Sequence, residues 1–273
     1  MTIIDGKKIA FEIIDELKKL PKLEKFMAAI LVGDNPASAN FIRQKEKTAK
    51  ELGVDFRIYN LLANLNNDQL RDEVRKIAEH KTCGGVIVQL PLPEHINKHY
   101  ILNVIPREKD VDVLGERALG AFYVGRNPVL PPAVGTVEKI LVSCRLSLVA
   151  CNVAIVGLGF LIGKPVAVWL MGKAKEIILL DKFSDLSLIK NADIVISGVG
   201  KAGLIKPEML KEKGLIIDFG CSIDSMEKIK GDFDSELRTL NFEHIIYTPT
   251  PGGTGPILVA KLFENFYTLN EGK

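Results

Sequence analysis

Lys45 is the residue best placed to do chemistry, in the stretch Asn35-Pro36-Ala37-Ser38-Ala39-Asn40-Phe41-Ile42-Arg43-Gln44-Lys45-Glu46-Lys47. An apolar run at residues 28–32 precedes it and reads as a strand feeding a helix. Asn35 can cap that helix, and Pro36 suits its first turn. On a helix Phe41 and Lys45 share one face, while Arg43 and Lys47 share another. If the first face lines a pocket, the ring can stack on a flat substrate. A desolvated Lys45 there has its pKa lowered toward acid/base use. Without a pocket, the same lysines simply face water.

Three other places carry candidate chemistry. The apolar run at 84–90 has glycines before it and Pro91 and Pro93 after it, which suits a parallel strand buried on both faces. Gln89 stands at its carboxyl end, where open α/β sheets gather ligands, or serves as a loop amide. Asp110 and Asp112 lie two apart in a charged segment that reads as a solvated turn, with both side chains on one side of an extended loop. The loop 248–256 holds three prolines and three glycines, among them Pro251, Gly252 and Gly253, and needs a special backbone. It reads as a place of close ligand approach, as an interdomain hinge, or as both.

A strand at 153–156 runs into Gly157-Leu158-Gly159-Phe160-Leu161-Ile162-Gly163, which opens a helix continuing through 171. A glycine turn between strand and helix lets backbone amides approach a phosphate, although G-x-G-x-x-x-G is one residue longer than the common dinucleotide fingerprint. The next strand, 176–180, ends on Asp181, where a carboxylate accepts ribose hydroxyls and repels a 2′-phosphate. That leans toward NAD, and Lys182 offsets the repulsion.

Stepping outward, periodicity predicts helices at 5–20, 67–79, 96–104, 136–143, 206–210 and 257–269. Strands are predicted at 54–62, 192–197, 214–220 and 245–247, with a turn at 231–234. At 273 residues the chain has room for two domains of alternating strands and helices. A net charge of +2, from 36 basic and 34 acidic residues, gives no electrostatic case for nucleic acid or an anionic membrane. No apolar run approaches membrane-spanning length. Cys83, Cys144, Cys151 and Cys221 form no C-x-x-C pair, so neither a zinc site nor a disulfide framework is expected, no metal is assigned, and a reducing cytoplasm is the natural compartment.

Five segments taken in order resemble the FolD family of bifunctional methylenetetrahydrofolate dehydrogenase/methenyltetrahydrofolate cyclohydrolases. They are the F-I-R-Q-K-E-K helix with Lys45 and Lys47, Val88-Gln89-Leu90-Pro91-Leu92-Pro93, Lys109-Asp110-Val111-Asp112, Gly163-Lys164-Pro165, and the loop 248–256. The resemblance implies that Lys45 is catalytic, that Gln89 hydrogen-bonds it, and that Asp112 grips the pterin ring of a folate. It implies substrate contacts from Phe41, Pro251, Gly252 and Gly253. Cofactor contacts are implied from Gly157, Gly159, Phe160, Leu161, Ile162, Gly163, Asp181, Lys182 and Ile223.

The implied architecture is two α/β domains: a catalytic domain at 1–118, joined by the terminal helix at 257–273, and a Rossmann-like NAD(P)-binding domain at 119–256. The implied partners are a folate, NADP and a second copy of the chain in a homodimer, in one-carbon metabolism. Several positions depart from the family pattern. Phe41 replaces the usual tyrosine, Val113 the glycine after K-D-V-D, and Leu130-Pro131-Pro132-Ala133-Val134-Gly135 the usual P-C-T-P-x-G. Gly157-Leu158-Gly159 replaces G-R-S, removing the arginine placed near a 2′-phosphate, and Asp181-Lys182 replaces a histidine-serine pair. These departures keep two alternatives open, a dehydrogenase without hydrolysis and a nucleotide-sensing protein on an enzyme fold.

Overall fold

The structure is a computed structural model that describes residues 1–223, 228–236 and 244–271. In chain order its first half contains β1 (Thr2–Ile3), α1 (Gly6–Lys18), β2 (Phe26–Val32), α2 (Pro36–Leu52), β3 (Phe56–Leu61), α3 (Asn67–Glu79), β4 (Cys83–Val88), α4 (Lys98–Leu102) and α5 (Glu116–Tyr123). Then follow α6 (Pro132–Ser143), β5 (Asn152–Val156), α7 (Gly163–Leu170), β6 (Glu176–Leu180), β7 (Ile194–Ser197) and β8 (Leu215–Asp218). The last elements are β9 (Ser222–Ile223), β10 (Ile229–Lys230), β11 (Ile246–Tyr247) and α8 (Thr254–Asn270).

The chain forms two compact units, residues 12–132 with 259–273 and residues 1–11 with 133–258. These bounds differ from the expected ones at both seams. Thr2 and Ile3 pair in parallel with Ile246 and Tyr247 of β11, which draws the first residues into the second of these units. Residues 119–132 go the other way: α5 was not expected, and the Asn265 side chain donates to the Leu130 carbonyl at 2.8 Å. A two-residue strand has no periodicity to read, and α5 is short.

In the unit 12–132/259–273, β2 lies between β3 and β4, all parallel. β4 is buried along its whole length, as its continuous apolar run requires. Two glycines let α8 press directly on it. A Cβ at Gly85 would come within 2.8 Å of both Phe266 and Val111, and one at Gly84 within 2.7 Å of Asn270. α2 is capped as expected: Asn35 Oδ1 accepts the Ser38 N–H at 3.0 Å, and Gly53 ends the helix at φ 68°.

In the unit 1–11/133–258 six parallel strands run in the order β1-β11-β8-β7-β5-β6. The chain leaves β5 to one side for β6 and returns on the other for β7, so the switch point lies between β5 and β7. The segment expected as a helix at 206–210 is a single 3-10 turn, Pro207–Met209. Among the described residues no helix is long and apolar enough to cross a membrane, and no group of three or more His, Cys, Asp or Glu is arranged to hold a metal.

Candidate functional site

The unit 12–132/259–273 brings Lys45, Gln89 and Asp112 into one polar cluster at the carboxyl end of its sheet. The Gln89 N–H continues the ladder to the Ile30 carbonyl at 2.9 Å, fixing the residue just beyond β4. Its side-chain amide donates to the Leu90 carbonyl at 2.8 Å, which leaves Oε1 to accept from Lys45 Nζ at 3.0 Å. Gln89 is therefore held at both ends of its amide. Lys45 projects from the third turn of α2, and desolvation lowers its pKa below 10.5 against an opposing pull from Asp112. Burial in turn raises the Asp112 carboxyl, with Lys45 holding it back. Phe41 lies one turn before Lys45, and the residue is 42 % exposed.

The loop that presents Asp112 is anchored rather than solvated. Asp110 is buried, and its carboxylate accepts the N–H groups of Leu114 at 3.0 Å and Gly115 at 2.8 Å. Just before these two donors Val113 takes φ 58°, a left-handed conformation that a β-branched residue adopts only under strain. Asn265 on α8 donates to the Val111 carbonyl at 2.8 Å. The expectation of a solvated turn thus fails at Asp110, because that reading had no access to the tertiary contacts that bury it.

Burial lifts the Asp110 pKa from 3.8 to about 7 despite those donors. Between these values the folded chain holds a proton that the unfolded chain has lost, so stability falls as pH rises. Asp110→Asn should remove a slope of up to about 1.4 kcal/mol per pH unit from the range 4–7. Denaturant unfolding at four or five pH values reads this directly. An unchanged slope would show that Asp110 titrates normally.

In the unit 1–11/133–258 the glycine turn between β5 and α7 is tightly packed. Gly157 stands at φ 88°, where a Cβ would meet Val199 at 2.9 Å, and a Cβ at Gly163 would lie 2.0 Å from the Gly157 carbonyl oxygen. Gly157 and Gly163 are thus required for the close crossing of β5 and α7. Gly159 is different, since a Cβ there meets no protein atom within 4 Å. Phe160 and Ile162 are partly buried, and Leu161 is exposed.

Gly157 N–H donates to the Leu180 carbonyl at 2.8 Å, which sets the turn beside Asp181 at the end of β6. Asp181 and Lys182 are exposed, and Asp181 Oδ1 accepts the Lys182 N–H at 2.9 Å. Ile223, 68 % exposed, follows β8 on the same edge of the sheet. Pro251, Gly252 and Gly253 follow β11 there too. Gly252 has φ 100°, and Gly253 packs so closely that a Cβ on Gly6 would fall 1.8 Å from its carbonyl oxygen. These three residues therefore belong to the unit of the dinucleotide candidates, whereas Phe41, Lys45, Gln89 and Asp112 belong to the other.

Two buried aspartates organise this edge, and sequence reasoning missed both. Asp232 was expected in a turn, yet it is fully buried. It accepts from Ser197 Oγ at 2.6 Å and from the N–H groups of Val199 and Lys201 at 2.8 and 2.7 Å, fixing the loop after β7. Asp218 accepts from the N–H groups of Gly220 at 2.6 Å and Phe233 at 2.9 Å, and burial raises its pKa to about 6. Its position at the end of an apolar strand was the one available signal.

The chain matches known proteins along nearly its whole length. Residues 4–112 match the family model "Tetrahydrofolate dehydrogenase/cyclohydrolase, catalytic domain", and residues 131–273 match its "NAD(P)-binding domain". The "Bifunctional protein FolD" of Campylobacter jejuni subsp. jejuni serotype O:2 is 34% identical over 274 residues, covering 97% of this chain and 96% of that one. The crystal structure of the FolD methylenetetrahydrofolate dehydrogenase/cyclohydrolase from Campylobacter jejuni superposes with a TM-score of 0.92 at 32% identity, covering 99% of each chain. FolD of Trypanosoma brucei, complexed with NADP and an inhibitor, gives 0.91 at 26% identity, covering 99% of this chain and 97% of that one. Two family models in their proper order, a relative matched over nearly its full length and a shared fold lead to one conclusion: this chain belongs to the tetrahydrofolate dehydrogenase/cyclohydrolase family, the bifunctional FolD proteins.

Proposed function

We propose that the chain oxidises 5,10-methylenetetrahydrofolate to 5,10-methenyltetrahydrofolate and hydrolyses that cation to 10-formyltetrahydrofolate, with Lys45, Gln89 and Asp112 acting on the folate. The observation that carries the reading is the desolvated Lys45 amine held 3.0 Å from Gln89 Oε1. A bound nicotinamide dinucleotide supplies the hydride acceptor. Gly157, Gly159 and Gly163 suit its phosphates, because the turn needs two of these glycines for its own packing and leaves the third open to a ligand.

Asp112 accepts from the paired N–H donors of the pterin, and the Phe41 ring stacks on the aminobenzoyl ring. In the hydrolysis a water oxygen bonds to the methenyl carbon, and the neutral Lys45 amine takes the water's proton. Ring opening then breaks the bond from that carbon to N5: the hydroxyl of the tetrahedral intermediate loses its proton to solvent as the formyl C=O forms, and N5 takes the proton that Lys45 held. A lysine with an ordinary pKa would be a cation near neutral pH and could accept nothing, so lowering by burial is part of the mechanism. Gln89 orients the amine through Oε1.

Two assays test the reading: reduced dinucleotide formed from methylenetetrahydrofolate, and decay of methenyltetrahydrofolate absorbance above the uncatalysed rate. Phe41 favours a second reading, a dehydrogenase without hydrolysis, since the family's tyrosine hydroxyl is missing. Enzyme-dependent methenyl decay would exclude it. If neither reaction is catalysed with NAD or NADP, the binding-protein alternative takes its place.

On family grounds the dinucleotide is NADP, while Asp181 favours NAD, because an exposed carboxylate at the end of β6 repels a 2′-phosphate. Asp181→Ser should therefore lower the KM for NADP at least about tenfold without a similar gain for NAD, since like charges set against each other at a binding face cost roughly several kcal/mol. Equal changes for both would take Asp181 out of cofactor choice. A homodimer in the cytoplasm completes the proposal.

A further inference from the structure

Asn265 sits in an apolar part of α8. Leu262 and Leu269, one turn to either side of it, and Phe266 beside it are all buried, and Asn265 itself is only 4 % exposed. An amide in such a place is costly to bury unless its hydrogens are used. Both are used: Nδ2 donates to the Val111 carbonyl and to the Leu130 carbonyl, each at 2.8 Å. Carbonyl oxygens only accept, so the nitrogen end of the amide is the end that faces them.

The first of these bonds bears on Asp112. The Val111 carbonyl belongs to the planar peptide that joins Val111 to Asp112, so holding it fixes the chain on one side of the Asp112 Cα. On the other side the Val113 N–H, part of the next peptide, donates to the Asp110 carbonyl at 3.3 Å. Asp110 in turn bridges Val86 of β4 in parallel. Both peptides that flank Asp112 are thus held. The loop makes the second tie from its own backbone, whereas the first comes from a side chain 154 positions further along the chain.

We infer that Asn265 is a positioning residue for the folate: through the Val111–Asp112 peptide it sets where the Asp112 carboxylate meets the pterin, which rests on the reading of Asp112 given above. Asn265 exchanges no proton and acts only through Asp112.

The test is a double-mutant cycle in the full-length chain, with Asn265→Leu, Asp112→Asn and the two combined. Leucine is close to asparagine in size and keeps the helix, but it donates to neither carbonyl. Alone, Asn265→Leu should raise the KM for methylenetetrahydrofolate at least about fivefold. The KM for the dinucleotide should stay within about twofold and kcat within about threefold, since binding rather than chemistry is loosened. Added to Asp112→Asn, it should change the folate KM by less than about twofold, because the contact it positions is already gone. If Asn265→Leu does not fold, Asn265→Ser, whose smaller side chain leaves room for a water at the two carbonyls, enters the same cycle. An unchanged folate KM with a lower melting temperature overturns the inference and leaves Asn265 a purely structural tie. So does an equal rise in folate KM with and without the Asp112 carboxylate, which places the effect elsewhere. If Asp112→Asn alone leaves the folate KM unchanged, the reading of Asp112 has failed and the inference falls with it, a result seen before Asn265 is altered.

Discussion

Lys45→Met should reduce methenyl hydrolysis at least about 100-fold, the lower end of what a positioned general base contributes. Methionine matches the length of the stem and keeps its packing on α2, but has no lone pair for the water's proton. The fold should survive. Burial disfavours the charged form of the amine, and removing it relieves that desolvation while leaving Gln89 Oε1 without its donor. These effects oppose one another and are each of order 1–3 kcal/mol. Unchanged circular dichroism with lost methenyl decay is the expected pair of results. Wild-type hydrolysis in the variant would remove Lys45 from the mechanism.

Asp112→Asn should raise the KM for methylenetetrahydrofolate at least about tenfold, because charge-assisted hydrogen bonds to a carboxylate are worth roughly 1.5–3 kcal/mol. The amide also turns a donor toward the pterin's own donors, so one contact becomes a repulsion. The KM for the dinucleotide should stay within about twofold, as its candidate residues lie in the other compact unit. Equal losses for both ligands would contradict the assignment.

The candidate site residues were legible because their signals are local. A capped helix puts Phe41 and Lys45 on one face, an apolar strand ends on Gln89, and a strand-glycine-helix turn needs no knowledge of distant chain. What the sequence hid was burial. Asp110 and Asp232 read as turn residues, and only the folded chain shows the backbone N–H groups that surround them. The unit boundaries were hidden too, since the pairing of Thr2 and Ile3 with β11 joins residues over 240 positions apart. Val113 shows a mixed case. Its departure from glycine was visible in the sequence, while the left-handed backbone that makes the departure strained was not.

The measurement that bears most directly on the lysine's role is an NMR titration of the chain with carbon-13 at the lysine ε positions, compared with Lys45→Met to assign the resonance. The Lys45 resonance should titrate below 10.5, the value ordinary for the group, and should be missing from the variant. If every lysine, Lys45 included, keeps its proton up to that value, there is no neutral amine to take a proton from water, and the hydrolytic mechanism built on it is wrong.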